Sequence, residues 1–229
     1  MIEAVYALYR NTDAMVTTSD GPTEQFPTSS GVLQGDSLAP FVFIIIMDWI
    51  IRTAIPDDSR GFILERRRST RYPEKRLSIL AYADDLVLLA SDMASAQGML
   101  CDLVNAASRV GLQINVKKTE VLSIPTCEGI QILYPSSDGS QLPLSICKSF
   151  KYLGGTVPST HEDFLHRRAL AWAALNKLRP VWTATNLSDR LRSRLFKALI
   201  DPVLLYNAES WIISDSFLKT LDQTHAGLL

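Results

Sequence analysis

Apolar positions recur along this chain with two periods, and each change of period marks an element. Ile2, Val5 and Leu8 or Tyr9 fall at helical spacing in "MIEAVYALY". "AMVTTSDGPTEQF" predicts two short strands around a Ser19-Asp20-Gly21 turn. "GVLQGDSLAP" is a Gly-bounded loop leading into a helix, with Ser37 at the N-cap and Pro40 in the first turn, where its missing N–H costs little. That helix, in "LAPFVFIIIMDWII", is apolar all round, which predicts burial. Residues 57–76 form a polar excursion containing "ERRRSTR", a solvated loop or an exposed hairpin. A strand pair follows in "LSILAYADDLVLLA", then an amphipathic helix over 93–110 that stops at Gly111. "LQINVKKTEVLSI" reads as a strand, or a loop running into one, and "FKYLGG" closes a hairpin on paired glycines. After Pro158 the pattern is helical, over 161–178 and 188–206, with Pro202 kinking the second helix. Strands mixed with helices and then helices alone predict an α+β domain over 1–158 and a small helical region over 159–229.

At 229 residues the chain suits one large domain or two smaller ones, and 47% hydrophobic with 21% charged residues is ordinary globular composition. The formal net charge of -1 demands no nucleic-acid partner, but its distribution is uneven. Residues 1–60 carry eight acids against three basic groups, whereas residues 161–200 carry eight basic groups against three acids, which permits a basic face there. Three widely spaced cysteines, Cys101, Cys127 and Cys147, show no zinc spacing and suit a reducing compartment. The most apolar window is too short to span a bilayer, and the N-terminus lacks a signal peptide's order. The expectation is a soluble, intracellular protein without a membrane partner.

Asp84 and Asp85 interrupt an apolar strand pair, and this is the sharpest chemical signal in the chain. Two adjacent carboxylates pressed by apolar residues repel each other unless a cation shares them. The pair Asp57–Asp58, flanked by Pro, Ser and Arg, serves as a control and reads as a solvated turn. Strand neighbours normally diverge, but at a tight hairpin tip two acids can converge. A hard divalent cation such as Mg²⁺, held by one or two carboxylates and completed by water and phosphates, answers the requirement. A structural hairpin turn answers the spacing as well.

Five stretches carry a resemblance that covers nearly the whole chain. "AYADDLVLL" resembles the Tyr-x-Asp-Asp motif of reverse transcriptases, and "GVLQGDSLAPFVF" resembles the Gln-Gly motif that precedes it. "GLQINVKKTEVL" and "FKYLGG" are similar to the two palm motifs that follow, and "DPVLLYNAESW" is similar to the thumb segment of LINE-type (non-LTR) retrotransposon enzymes. The resemblance implies a palm-like mixed or antiparallel sheet with packing helices, followed by a thumb-like helical region. It implies an RNA-directed DNA polymerase that transfers nucleotides with two Mg²⁺ ions, on an RNA template, a DNA primer and deoxynucleoside triphosphates. Asp84 would be the principal metal ligand and Asp85 its supporting neighbour, with Tyr82 and Ala83 beside the primer terminus. Gln34 and Gly35 would lie against the templating and incoming bases, although Gly31 and Gly35 also read as helix-entry punctuation. Lys118 falls where the family often has a lysine near the triphosphate, or is simply solvated. Phe150, Tyr152, Leu153 and Gly154 match a primer-gripping hairpin, or an aromatic hairpin packed on the core. Arg190, Arg194 and Lys197 recur on one helix face and would neutralise duplex phosphates, or form an ordinary solvated face. His161, His166 and His225 have no acid or cysteine at ligand spacing and receive no role.

The family's palm carries a further aspartate on an earlier strand, in a Phe/Val-Asp-x-x-x-Ala-Phe-Asp motif that this sequence lacks, as it lacks the fingers. Leu33 and Gln113 stand where relatives often carry basic residues. A first helix with no N-cap and a missing ligand strand together predict a truncated enzyme, inactive alone, with an unpaired sheet edge. The competing expectation is a catalytically dead nucleic-acid-binding or interaction protein that keeps the polymerase scaffold.

Overall fold

The computed structural model describes residues 2–10, 12–28, 31, 35–125, 129–136 and 139–228. They form two compact units, Met1–Val116 with Ile132–Pro143, and Lys117–Gln131 with Leu144–Leu229. The first unit opens with α1 (Ile2–Tyr9) and the short strands β1 (Asp13–Ala14), β2 (Thr17–Thr18), β3 (Gly21–Pro22) and β4 (Phe26–Pro27). It continues through α2 (Ala39–Ala54), β5 (Phe62–Glu65), β6 (Lys75–Leu77), β7 (Ile79–Tyr82), β8 (Asp85–Leu88) and α3 (Met93–Ser108). After β9 (Glu120–Leu122), a strand of the second unit, β10 (Leu133–Pro135) and β11 (Gln141–Pro143) complete the first. The second unit adds β12 (Ser145–Cys147), β13 (Phe150–Tyr152), β14 (Gly155–Val157) and α4 (Thr160–Lys177). It ends with α5 (Arg179–Trp182), α6 (Asp189–Leu199), α7 (Asp201–Leu204) and α8 (Asp215–Leu228).

The α+β class holds, but the expected palm-like sheet does not appear among the described residues. Strands pair in twos: β1–β4, β2–β3, β5–β6, β7–β8, β10–β11 and β13–β14 are antiparallel, and β9 with β12 is parallel. The compact units also do not divide at Pro158. The β13–β14 hairpin belongs with the helices that follow it.

In the first unit, α2 packs on α3 through Ile50, Ala54, Met99, Leu103, Ala106 and Ala107. Leu86 and Leu88 of β8 close one side of this cluster. Burial of α2 is one-sided, contrary to the expectation from its composition: Ile50 is 1% exposed, whereas Ile45 on the far face is 68% exposed, along with Phe41 and Ile44. α3 covers one stripe of the helix, and the opposite stripe has no cover among the described residues. The N-cap of α2 falls on Leu38 rather than Ser37, with no side-chain bond; Asp36 Oδ1 takes the Leu38 N–H instead, at 3.0 Å. Tyr9 donates to the same Asp36 carboxylate, and that bond holds the Asp36 carboxyl below the usual carboxylate range. α3 stops before Gly111, at φ +78°, as expected, and Asp92 caps its start by accepting the Ser95 N–H at 2.8 Å. Asp58, expected to be only solvated, accepts the Ser78 N–H at 2.9 Å and ties down the junction between β6 and β7.

The second unit buries Phe164, Ala171, Phe196, Ile200, Leu204, Trp211 and Leu228. Phe164, Trp211 and Phe217 meet edge to face, the arrangement that aromatic quadrupoles favour. The expected long helix over 188–206 is two, separated at Ile200, so Pro202 opens α7 rather than kinking an interior. His225, which the sequence left without a partner, meets Asp201 at 3.0 Å. At the centre lies Asp163, 1% exposed, accepting from Trp211 Nε1 at 2.8 Å, Thr156 N at 2.9 Å and Asn207 Nδ2 at 3.4 Å. Arg167, one helical turn on, donates to Gly154 O and stacks its guanidinium 4.2 Å from the Tyr206 ring centroid. Burial pushes the Asp163 carboxyl up, but those donors and the Arg167 charge outweigh it, so it titrates below the usual range.

Two stability measurements follow. Ile50→Ala destabilises the chain by about 2–5 kcal/mol in a denaturant melt, whereas Ile45→Gln stays within about 0.5 kcal/mol because its side chain is already in water. Asp163, with its folded value depressed, stabilises fully above the unfolded carboxyl value near about pH 4, and loses that contribution as pH falls through the folded value. Asp163→Asn therefore lowers neutral-pH stability by about 3 kcal/mol and flattens the acid limb of the stability profile; an unchanged limb defeats this account.

Candidate nucleic-acid and metal site

The β7–β8 hairpin is set by alternation. Ile79, Leu86 and Leu88 turn toward the α2–α3 core, in the register Ile79↔Leu88, Leu80↔Val87, Ala81↔Leu86 and Tyr82↔Asp85. That register leaves Ala83 and Asp84 as the two loop residues. Ala83 sits at φ +53°, a backbone region that costs a non-glycine residue roughly 1–2 kcal/mol. A two-residue loop needs a positive φ there to match the twist of its strands.

At this tip Tyr82, Asp84 and Asp85 are all exposed. Among the described residues neither carboxylate has a side-chain hydrogen bond or an ion pair, so no arginine or lysine neutralises them. The expectation that apolar flanks press on the acids is corrected. The flanks bury their own faces below, and the tip projects into water, which solvates both charges. Two free carboxylates in water are hard oxygen donors suited to Mg²⁺, which is usually bound by one or two carboxylates with substrate phosphates completing its shell. No group of three or more His, Cys, Asp or Glu side chains gathers there or elsewhere among the described residues. The donor set thus fits an open cation site that substrate completes, not a closed protein cage.

The other predicted residues are distributed between the two units. Gly35 lies in the first, at φ +88° and with open space around it, so its conformation rather than crowding calls for glycine. Gln34 lies outside the described residues. Lys118 is exposed and belongs to the second unit, as do the hairpin and the basic helix. In the β13–β14 hairpin Phe150 and Tyr152 are half-buried, and Leu153 and Gly154 form the turn, both with positive φ. The turn's carbonyls are taken by protein: Leu153 O accepts from Tyr206 OH at 2.9 Å, and Gly154 O from Arg167. Of the paired glycines, Gly154 supplies the left-handed backbone, and Gly155 makes room for the Asn207 carboxamide where a Cβ would stand.

On α6, Arg190, Arg194 and Lys197 are exposed and have no acid partner among the described residues, whereas Arg192 turns back to Asp189 and Ala184 O. The helix buries Phe196 and packs beside Ile200, while its Leu191 and Leu199 stay about two-fifths exposed. Sequence reasoning missed the network in which buried Asp163, Arg167 and Trp211 join half-buried Asn207 and exposed Tyr206, and counted Arg167 toward a basic surface. The available signal was Asp163 and Arg167 one turn apart on the same stripe as Phe164 and Ala171.

Residues 2–157 match the reverse transcriptase (RNA-dependent DNA polymerase) family. A transposon-derived protein of Caenorhabditis elegans is 33% identical over 159 residues, covering 67% of this chain and 56% of that protein. The retrovirus-related Pol polyprotein from the type-1 retrotransposable element R2 of Popillia japonica is 30% identical over 145 residues, 60% of this chain and 22% of the polyprotein. The corresponding polyprotein from the type-2 element R2DM of Drosophila melanogaster is 30% identical over 146 residues, 60% of this chain and 13% of its own length. The chain thus spans about half, or less, of the curated relatives it matches. With its acid hairpin, its glycine loop and these relatives, it belongs to the reverse transcriptase family, in the LINE-type branch of non-LTR retrotransposons.

Proposed function

We propose that this chain supplies the metal-binding hairpin and the nucleic-acid-holding helices of an RNA-directed DNA polymerase of a non-LTR retroelement. The observation that carries the reading is the pair of exposed, unpartnered carboxylates at the tip of a core-anchored hairpin. Residues 1–158 act as palm and 159–229 as thumb, with the β13–β14 hairpin packed among the thumb helices. Asp84 is the principal ligand and Asp85 its supporting neighbour. When bound there, Mg²⁺ supplies positive charge to the oxygens of the transferring phosphoryl group. Tyr82 offers its exposed ring to the primer terminus, and Gln34 and Gly35 face the base pair being formed. Lys118 serves the triphosphate, while Phe150, Tyr152, Leu153 and Gly154 hold the primer strand. Arg190, Arg194 and Lys197 neutralise phosphates of the template–primer duplex.

The 229 residues do not transfer nucleotides by themselves in this reading. Two acids on one hairpin leave a second ion without its share of ligands, so another carboxylate strand is required. The exposed stripe of α2 supports the same need for further polypeptide, since Phe41, Ile44 and Ile45 lie open on a helix otherwise committed to a core.

Binding and extension of an RNA–DNA hybrid test the proposal together. The expected result is a salt-sensitive affinity that Mg²⁺ strengthens several-fold, with no primer extension. Asp84→Asn combined with Asp85→Asn binds more tightly than the unaltered chain without Mg²⁺ and loses the Mg²⁺ response. Extension that Asp84→Ala abolishes overturns the claim of inactivity. An affinity equally indifferent to Mg²⁺ in both chains leaves a scaffold that binds nucleic acid without chemistry.

A further inference from the structure

The Arg-rich excursion before the acid hairpin is itself a β hairpin. β5 and β6 pair as Phe62↔Leu77, Ile63↔Arg76 and Glu65↔Lys75, with an irregularity between Ile63 and Glu65. It is tied by Arg76, which donates to Glu74 at 2.6 Å and to the Ser59 carbonyl at 2.9 Å, and by Lys75 with Glu65 at 3.2 Å. Its far end is closed by Tyr72 N–H to Ser69 O at 3.2 Å and Arg68 N–H to Tyr72 O at 3.1 Å.

Charge is sorted along this hairpin. Its acids, Glu65 and Glu74, flank the loop and are both engaged, with Lys75 and Arg76. Between them stand Arg66, Arg67, Arg68 and Arg71, all exposed, with no acid in the interval and no ion pair or side-chain hydrogen bond among the described residues. An ordinary solvated surface intersperses both signs; here four like charges occupy six positions. Tyr72, 69% exposed, stands beside them with its ring in water. Guanidinium forks match phosphate oxygens in pairs, and an exposed aromatic ring stacks on bases or riboses of unpaired nucleotides.

The location favours nucleic acid over other polyanions. From the arginine tip the chain runs through β6, Ser78 and β7 directly into the Asp84–Asp85 turn. At most about 45 Å of extended backbone separates Arg71 from Asp84, the span of roughly thirteen nucleotides at about 3.4 Å each. A template–primer of about that length bound at the acids is long enough to reach the arginines.

We propose that Arg66, Arg67, Arg68, Arg71 and Tyr72 form a second contact for the template–primer, with guanidiniums on backbone phosphates and the Tyr72 ring against a nucleotide. The inference rests on the polymerase reading of this chain and is independent of the α6 stripe. Its test is the affinity of the 229-residue chain for an RNA–DNA hybrid with a single-stranded RNA overhang, measured across a salt series. Replacing all four arginines by glutamine is expected to reduce the slope of log affinity against log salt by about 2–4, at roughly 0.7–0.9 per phosphate contact, and to weaken low-salt binding at least tenfold. The four-lysine variant keeps most of the slope, and Tyr72→Ala lowers affinity for the overhang substrate without changing it. The tip lies outside both cores, so these variants melt with the unaltered chain. A glutamine variant that retains the full slope overturns the arginine contact and leaves the polymerase reading standing. Absence of salt-dependent binding in the unaltered chain overturns both. Loss of binding to phosphatidylserine vesicles, with hybrid binding intact, assigns the arginines to a membrane surface and likewise overturns the inference.

Discussion

Asp163 has left water without losing its charge, and the second unit is arranged to make that possible. Burying a lone carboxylate costs several kcal/mol, so every donor that reaches it becomes a condition on the fold. Thr156 N–H fixes the end of the β13–β14 hairpin, Trp211 Nε1 fixes the aromatic cluster, and Asn207 brings in the turn after α7. Asn207 takes this position at φ +67°, a conformation asparagine tolerates better than most residues. Arg167 then carries the network to the hairpin's turn through Gly154 O. A hairpin of three-residue strands is thereby held at and beside its turn by helix side chains, which explains why it packs with the helices rather than with a sheet.

The acids at the other hairpin show the reverse use of the same group. Asp84 and Asp85 stay in water, where their charges are solvated and their mutual repulsion is screened, so folding needs no counter-ion for them. Their placement is instead a backbone matter: a left-handed Ala83 and a register fixed by Ile79, Leu86 and Leu88 on the core. An exposed pair placed this way contributes little to stability. The buried acid organises the structure. The exposed pair takes no part in holding the fold.

Local rules carried far in this chain. The α3 helix with its Gly111 stop, the start of the helical region near residue 160 and the acid hairpin were legible from spacing and residue type, whereas the caps at Asp92, Ser159 and Ser188 were not read. What was not legible is nonlocal. Periodicity marks α2 as apolar all round but cannot say how many faces its neighbours cover, and only the stripe bearing Ile50 and Ala54 is buried. Charge counting treated Arg167 as surface, because nothing in sequence joins it to Gly154 or to a ring at position 206. Asp58 looked like its neighbour Asp57 until Ser78, twenty residues on, supplied the amide that distinguishes them. Strand pairing in twos was hidden for the same reason: alternation specifies a face, not a neighbour.

The near-neutral total charge conceals the arrangement that matters. The ribbon formed by β6 and β7 carries opposite signs at its two ends, arginines beyond β6 and carboxylates beyond β7. A polyanion drawn to the first is repelled at the second until a cation sits between carboxylate and phosphate. If the acid tip takes a cation and the ribbon takes nucleic acid, as proposed, the two occupancies favour each other, and linkage requires the coupling to be equal in both directions. In the function proposed above, sorting charge in this way makes a bound metal a condition of close approach by the substrate and not of the fold. This also accounts for an acid pair that the protein leaves without a partner of its own.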